Sequence, residues 1–355
     1  MKVLASLCVG LACLLGWLNP SGSCVYAQYD DCYVTCSASA ASVGVVGSPV
    51  QFSVSAQTTY CTGSPSYSWN FGNGLSSSQE STSSTYQSPG TYNWTVTVTV
   101  QGVSASQSGS ITINHRPVTS ISAASYDGAE LASESIVAAF GTSLATGTQT
   151  ASTNPLPTEM NGARVQVRDS AGTERSAPLF YVSPAQINFL IPQGTAAGMA
   201  SVTIINGSET VAQGTVSIAT IVPGLFTANS NGQGVPAAEA LRLKADGTRT
   251  SELVAEFDAG QNRFVARPLD LGPATDQLFL ILYGTGIRYV GSLSAVTASI
   301  GGVSAEVLFA GAQGVYVGLD QINLLLPRGL AGRGEVDLAL VVGGKAAKIV
   351  RINIR

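Results

Sequence analysis

One run of seven residues is written twice in this chain. Gln186-Ile187-Asn188-Phe189-Leu190-Ile191-Pro192 returns as Gln321-Ile322-Asn323-Leu324-Leu325-Leu326-Pro327, with every apolar position kept apolar. A repeat of this kind is the mark of one supersecondary unit built twice, so the C-terminal two thirds reads as a tandem. Two further phrases recur in the same order. Tyr283-Gly284-Thr285-Gly286-Ile287 echoes Phe140-Gly141-Thr142-Ser143-Leu144, and Ala305-Glu306-Val307-Leu308-Phe309 echoes Ala177-Pro178-Leu179-Phe180-Tyr181. In the seven-residue phrase, Gln186, Asn188, Gln321 and Asn323 alternate with apolar residues, so a strand there puts amides on one face and the core on the other. A structural role, satisfying the backbone of a neighbouring loop, is the expectation for those amides, with ligand contact as the alternative.

Strand-like alternation runs through the rest. Val50, Phe52 and Val54 share one face, as do Tyr67, Trp69 and Phe71. Trp94, Val96, Val98 and Val100 face inward while Thr95, Thr97 and Thr99 face out. Gly and Ser clusters separate these runs, and no helical period appears. A buried tryptophan set opposite a disulfide is expected, as in immunoglobulin-like sandwiches. The predicted fold class is all-β, three tandem immunoglobulin-like β-sandwich domains after a signal peptide. Their bounds are 1–27 for the signal, 28–33 for a linker, 34–115, 116–220 and 221–355 for the sandwiches. A charged hairpin at 239–267 is expected inside the last, with Asp246-Gly247 as its turn and cross-strand ion pairs along it.

Between Gln28 and His115 there is no Lys or Arg, and charges of both signs appear beyond Arg116-Pro117. That shift marks a domain boundary. Across the whole chain 11% of residues are charged, 45% are apolar and the net charge is -4. The apolar fraction excludes a disordered polar polymer, and the charge excludes the electrostatic footprint of nucleic-acid or anionic-membrane partners.

Lys2, the apolar run from Val3 to Leu18, the breaker Asn19-Pro20-Ser21-Gly22-Ser23 and the small-residue site Val25-Tyr26-Ala27 read as a secretory signal cleaved after Ala27. The run is shorter than the ~18–20 residues of a spanning helix, and no other matches it, so no transmembrane segment is expected. A lipid anchor on Cys24 is the rival, but Ser21-Gly22-Ser23 lacks the bulky apolar residue such an anchor requires. Export permits disulfides. Cys36 with Cys61 is the candidate pair, closing a loop of about 25 residues worth ~3 kcal/mol in the chain-entropy model. Cys32 with Cys61 is the alternative. Three thiols with no nearby histidine do not complete a zinc shell, so no metal or cofactor is expected.

Two resemblances rest on particular residues. Tyr67-Ser68-Trp69-Asn70-Phe71-Gly72-Asn73-Gly74, followed by Thr85-Tyr86 and Pro89-Gly90-Thr91-Tyr92-Asn93-Trp94-Thr95-Val96, resembles a PKD-type domain over about residues 34–114. Asn70 and Asn73 stand where the family's W-D-F-G-D-G carries aspartates, which weakens any cation role for that turn. The stretch from about Val118 to Arg355 resembles an uncharacterised C-terminal module of secreted acidobacterial proteins. That likeness rests on the Gln-Ile-Asn phrases, Pro223-Gly224-Leu225-Phe226, and Leu269-Asp270-Leu271-Gly272-Pro273 leading to Leu282-Tyr283-Gly284-Thr285-Gly286-Ile287-Arg288. It implies two IPT/TIG-like immunoglobulin folds and no activity.

Catalytic constellations are not apparent. The single histidine, His115, falls in the expected linker, where no Ser-His-Asp or Cys-His site can orient it. Gly284-Thr285-Gly286 lacks the lysine and helix of a phosphate loop and reads as a tight turn. Carboxylate-pair hydrolysis is the minor alternative, although residues 116–355 contain no tryptophan. The expectation is a non-enzymatic, exported binding, adhesion and spacer protein of the extracellular space or cell surface. Its expected partner is an extracellular polysaccharide or surface protein. A structural display module of the envelope is the alternative, and specificity is expected where the two copies differ, above all in 239–267.

Overall fold

The structure, a computed structural model, describes residues 32–355 and the strand Val25–Ala27. Apart from that strand, the expected signal segment, Cys24 and residues 28–31 lie outside the described residues. Val25–Ala27, expected at the cleavage site, pairs antiparallel with Tyr33–Thr35. Strands dominate, two short 3-10 turns interrupt them, and no α-helix occurs among the described residues. No helix there is long and apolar enough to cross a membrane. The chain divides into two compact units, Met1–His115 and Arg116–Arg355.

In the first unit, Tyr33–Ala40, Pro49–Thr59 and Ser81–Thr85 form one sheet with Val25–Ala27. Val103–Asn114, Gly90–Val100 and Ser66–Asn70 are the central strands of the other. The alternating sequence determines what lies between them. Phe52 and Trp69 are 1% exposed, and Val96 and Val98 are fully covered. Trp69 and Trp94 meet at 5.9 Å, and Phe52 stands edge-on to both. Both tryptophans are core residues.

The disulfide is a correction. Cys32 bonds to Cys61, with Cα atoms 4.6 Å apart, and Cys36 does not take part. The register decides this. Tyr33 pairs with Thr59, which brings Cys32 beside the residues just past Thr59. Cys36 pairs with Ala56, five residues short of Cys61, or roughly 17 Å along a strand. Its side chain is 3% exposed and belongs to the core. The bond therefore staples the ends of two neighbouring strands in one sheet instead of crossing between sheets.

The second unit holds two hydrophobic cores. The first is built from Val137, Ala139, Leu179, Ile187 and Phe189 on one sheet and Val165, Val167, Val202, Ile204 and Val216 on another. The second runs from Leu225 to Ile354. Its strands form one continuous hydrogen-bonded path because Val303–Ala312 changes partners along its length. Val303–Ala305 pairs with Val296–Ile300, and Glu306–Ala312 pairs with Asp320–Leu325. One strand thus turns the corner of the sandwich.

The repeated phrases occupy matching places around these cores. Gln186 pairs with Phe140 and Asn188 with Ala138; Gln321 pairs with Tyr283 and Asn323 with Ile281. On the other side Asn188 faces Tyr181 and Asn323 faces Phe309, and the same irregularity precedes each, between Leu179 and Tyr181 and between Val307 and Phe309. Ser143 and Gly286, fourth in their phrases, both have positive φ, 54° and 77°. Gly286 is obligatory there, since a Cβ would sit 2.2 Å from the Val222 carbonyl oxygen.

The copies differ in how the two residues before each Gln-Ile-Asn receive the preceding turn. Leu144 donates its N–H to the Pro184 carbonyl at 2.9 Å. Ile287, its counterpart, donates instead to the Asp320 carboxylate at 2.7 Å. Asp320 also binds Arg288 at 2.8 Å, and Arg288 reaches Glu134 of the first sandwich at 3.4 Å. Thr285 accepts from the Ile136 N–H at 2.9 Å and donates to the Gly318 carbonyl at 2.8 Å. Tyr289 donates to Glu134, and Lys348 to the Ser125 carbonyl. These bonds tie the surroundings of the two cores together within one unit.

Candidate functional site

The charged segment folds as two hairpins. Ala238–Leu243 pairs with Arg249–Leu253 across a turn in which Gly247 has φ 83°, as the Asp-Gly signal predicts. This hairpin extends the second sandwich's sheet, because Ala238–Leu243 also pairs with Gln277–Leu282. Its ion pairs form across the strands: Arg242, 8% exposed, binds Glu252 at 2.6 Å and Asp276 at 3.6 Å. Arg249–Leu253 ends at Val254, which is fully buried, and the chain leaves the sheet there before the strand Ala255–Asp258.

Ala255–Asp258 then pairs with Arg263–Ala266 as a separate two-stranded sheet. Two strands alone are marginal in water, so this hairpin needs a support. Asn229 supplies it, donating to the Phe264 carbonyl at 2.9 Å and accepting from the Phe264 N–H at 2.8 Å, like one more residue of strand. Phe257 and Phe264 face each other across the hairpin with centroids 5.4 Å apart, 54% and 40% exposed.

Where that hairpin meets the sandwich lies an open cleft of 690 Å³. Four separate segments line it: Asn229, Asn231 and Gln233 from one loop, Arg263 from the hairpin, and Asp337 and Arg351 from the neighbouring strands Gly334–Val342 and Val350–Ile354. The loop is shaped by its own bonds. Thr227 Oγ1 accepts from the N–H groups of Asn231 and Gly232 at 3.3 and 3.1 Å, and Asn231 Oδ1 accepts from the Gln233 N–H at 3.0 Å. Gly232, at φ 71°, passes so near Ser125 that a Cβ would lie 2.3 Å from its carbonyl oxygen. Arg351 binds Asp337 at 2.8 Å and Glu335 at 3.7 Å, and its N–H donates to the Gly234 carbonyl. Arg263 is oriented by two donations to the Gln261 side-chain oxygen Oε1, at 2.6 and 2.9 Å. Amides and guanidinium groups are a chemistry for holding hydroxylated ligands.

Of the segment 239–267 singled out in the sequence, Arg263 lines this cleft. The Gln-Ile-Asn amides lie elsewhere and bond to one another rather than to a loop: Gln186 Nε2 donates to Asn188 Oδ1, and Gln321 Nε2 to Asn323 Oδ1, both at 2.8 Å. His115 is half-buried at the boundary of the two units. In the first unit Tyr86 and Tyr92 lie 4.6 Å apart, yet Tyr86 is fully buried and donates to the Phe71 carbonyl. They form no open platform. No group of three His, Cys, Asp or Glu placed to hold a metal occurs among the described residues. Asn229, Asn231, Glu335, Asp337 and Arg351 carry no local motif; only strand pairing assembles them.

The asparagines of the tryptophan turn are Asx residues. Asn70 Oδ1 accepts from the Gly72 N–H at 2.9 Å, and Asn73 Oδ1 from the Leu75 N–H at 3.1 Å. Asn73 Nδ2 also donates to Ser84 Oγ at 3.1 Å and to the Thr85 carbonyl at 3.2 Å. A carboxylate could not make those two donations. Together with the Trp69 core, this turn lies within a recognisable family. Residues 35–114 match the PKD domain. The PKD likeness is confined to that stretch, and residues 116–355 lie outside the match. No curated protein matches the chain. Among solved structures, one described under the promiscuous specificity of carbohydrate-binding modules of the β-sandwich superfamily is 16% identical, covering 45% of this chain and 86% of its own. Its TM-score of 0.21 is too low for anything to be carried across.

Proposed function

We propose that this chain is an exported, non-enzymatic binding and spacer protein of the extracellular space or cell surface, and that its ligand is a polysaccharide. The observation that carries the reading is the polar cleft between the loop of Asn229, Asn231 and Gln233, Arg263, and the Asp337–Arg351 pair. It is open and shallow, as expected of a module that grips hydroxyl groups rather than one that encloses a reaction. Glu335 and Asp337, the carboxylates nearest the cleft, are both engaged by the Arg351 guanidinium. The PKD domain and the Cys32–Cys61 bond support an extracellular address, and a signal at residues 1–27 belongs to the same proposal.

Residues 116–220 and 221–355 are, on this reading, two IPT/TIG-like sandwiches. The shared registers and shared bulge support their common origin. A structural, load-bearing contribution is favoured by the bonded joint through Asp320, Arg288 and Glu134. The test uses the mature protein and the polysaccharide fraction of its native envelope in affinity electrophoresis. Retardation of the parent, lost in an Asn231→Ala/Arg351→Ala variant of unchanged melting temperature, is the expected result. Equal retardation of parent and variant, or none of the parent, overturns it. Crosslinking in the intact envelope that captures a surface protein instead would transfer the cleft to that ligand class.

A further inference from the structure

The polar cleft makes no use of the repeated phrase, yet that phrase builds a second feature twice. In the first sandwich Phe140 lies opposite Gln186, and Tyr181 opposite Asn188. In the second, Tyr283 lies opposite Gln321, and Phe309 opposite Asn323. Directly opposed residues share a sheet face, and the alternate residues Ile187, Phe189, Ile322 and Leu324 are fully buried. Each sandwich therefore carries, on the outward face of its sheet, an aromatic residue, a glutamine, an asparagine and a second aromatic residue on three adjacent strands. Phe140 and Phe309 are 36% and 39% exposed. Burial of a core does not require aromatic residues on the outer face of a sheet, still less the same two positions in both copies.

The chemistry of the quartet is specific. Each glutamine donates to its asparagine at 2.8 Å, which fixes both amides and leaves a glutamine carbonyl as acceptor and an asparagine N–H as donor. None of the eight residues is charged, so the face offers nothing to an anionic chain. The aromatic residues stand two strands apart and two residues out of register, about 10–12 Å between attachment points. That is about the repeat of two sugars in an extended β-1,4-linked glycan. In the second copy the Tyr283 hydroxyl is tied to Glu239 at 3.2 Å, and Tyr316, 68% exposed, lies near the same ring.

We propose that each quartet is a stacking site for an uncharged, extended, β-linked polysaccharide, with the rings covering sugar faces and the paired amides bonding hydroxyl groups. This site is separate from the polar cleft and stands or falls independently of it. Calorimetric titration of the mature protein with cellohexaose and xylohexaose tests it. At least one of these is expected to bind, with two sites per chain. Phe140→Ala and Phe309→Ala each weaken one of the two sites by roughly tenfold, the loss expected of an aromatic contact, and the double variant weakens both. Met199→Ala, at an exposed side chain outside both the cleft and the quartets, leaves these values unchanged, and all variants keep the parent melting temperature. No binding of either hexasaccharide by the parent, unaltered binding by the double variant, or equal binding of hexagalacturonate overturns the proposal. Loss in Arg351→Ala alone would reject the quartets and favour the cleft.

Discussion

Arg288 donates through Nε to the Asp320 carboxylate at 2.8 Å, and the carboxylate side chain is fully buried. Burial pushes the Asp320 carboxyl above its usual range, and the Ile287 N–H and Arg288 pull it back only in part. A carboxylate this deep is held by its partners or not at all. Removing it leaves the Ile287 N–H and the Arg288 guanidinium without their acceptor. Asp320→Ala is expected to lower the stability of residues 116–355 by about 3 kcal/mol, read from the urea midpoint. An unchanged midpoint would mean that the joint of the two sandwiches does not depend on this pair.

The disulfide gives a second expected outcome. Nonreducing peptide mapping, with cleavage between Cys32 and Cys36, should recover Cys32 linked to Cys61. The bond closes a loop with a sequence separation of 29 residues. Its removal in Cys32→Ser/Cys61→Ser is expected to cost about 3–4 kcal/mol in the chain-entropy model. Cys36→Ala should leave the crosslink intact.

Asn73→Asp restores the residue usual in the PKD motif, and here it is expected to destabilise. The substitution loses the donation to the Thr85 carbonyl and sets a carboxylate oxygen against that acceptor, while the Ser84 hydroxyl turns to donate. About 1–2 kcal/mol is the expected loss, measured as a lower melting temperature of the first unit. A gain in stability would show that the turn prefers the acid.

Acid sensitivity should centre on Asp169. It accepts from the N–H groups of Ala171 and Thr173 at 3.0 Å and of Ala196 at 3.1 Å, and from Arg175 at 2.6 Å. The Ala196 N–H, with Arg175 and Thr173, holds its carboxyl at about 2 against the opposing effect of burial. A depressed folded-state value means a stabilising contribution that is complete above the unfolded value near 4 and disappears as pH falls through about 2. Melting temperatures from pH 6 to pH 2 should fall less steeply for Asp169→Asn than for the parent, from a lower starting point. Parallel curves would remove Asp169 from the acid response.

Much of the architecture was legible in the sequence because strand burial has a period of two. Val50, Phe52, Val54, Trp94, Val96 and Val98 face inward as their alternation requires. The Gln-Ile-Asn phrases disclosed repetition, and the Asp246-Gly247 signal located a hairpin turn. The disulfide was not legible, because pairing depends on the register that sets Tyr33 against Thr59, and sequence spacing does not encode register. Nor was the break at Val254, where burial of one side chain ends a sheet that local pattern would continue.

By itself, the sequence determined the all-β class, the PKD motif and which faces of each strand are apolar, since these follow from local alternation and turn chemistry. Tertiary structure alone decided which cysteines meet, that Asp320 replaces a backbone carbonyl in the second copy, and that Asn231, Arg263 and Arg351 share one cleft. Those outcomes depend on the register and order of strands distant in sequence. No stretch of the chain contains them, because hydrogen bonding between strands joins residues that share no local pattern.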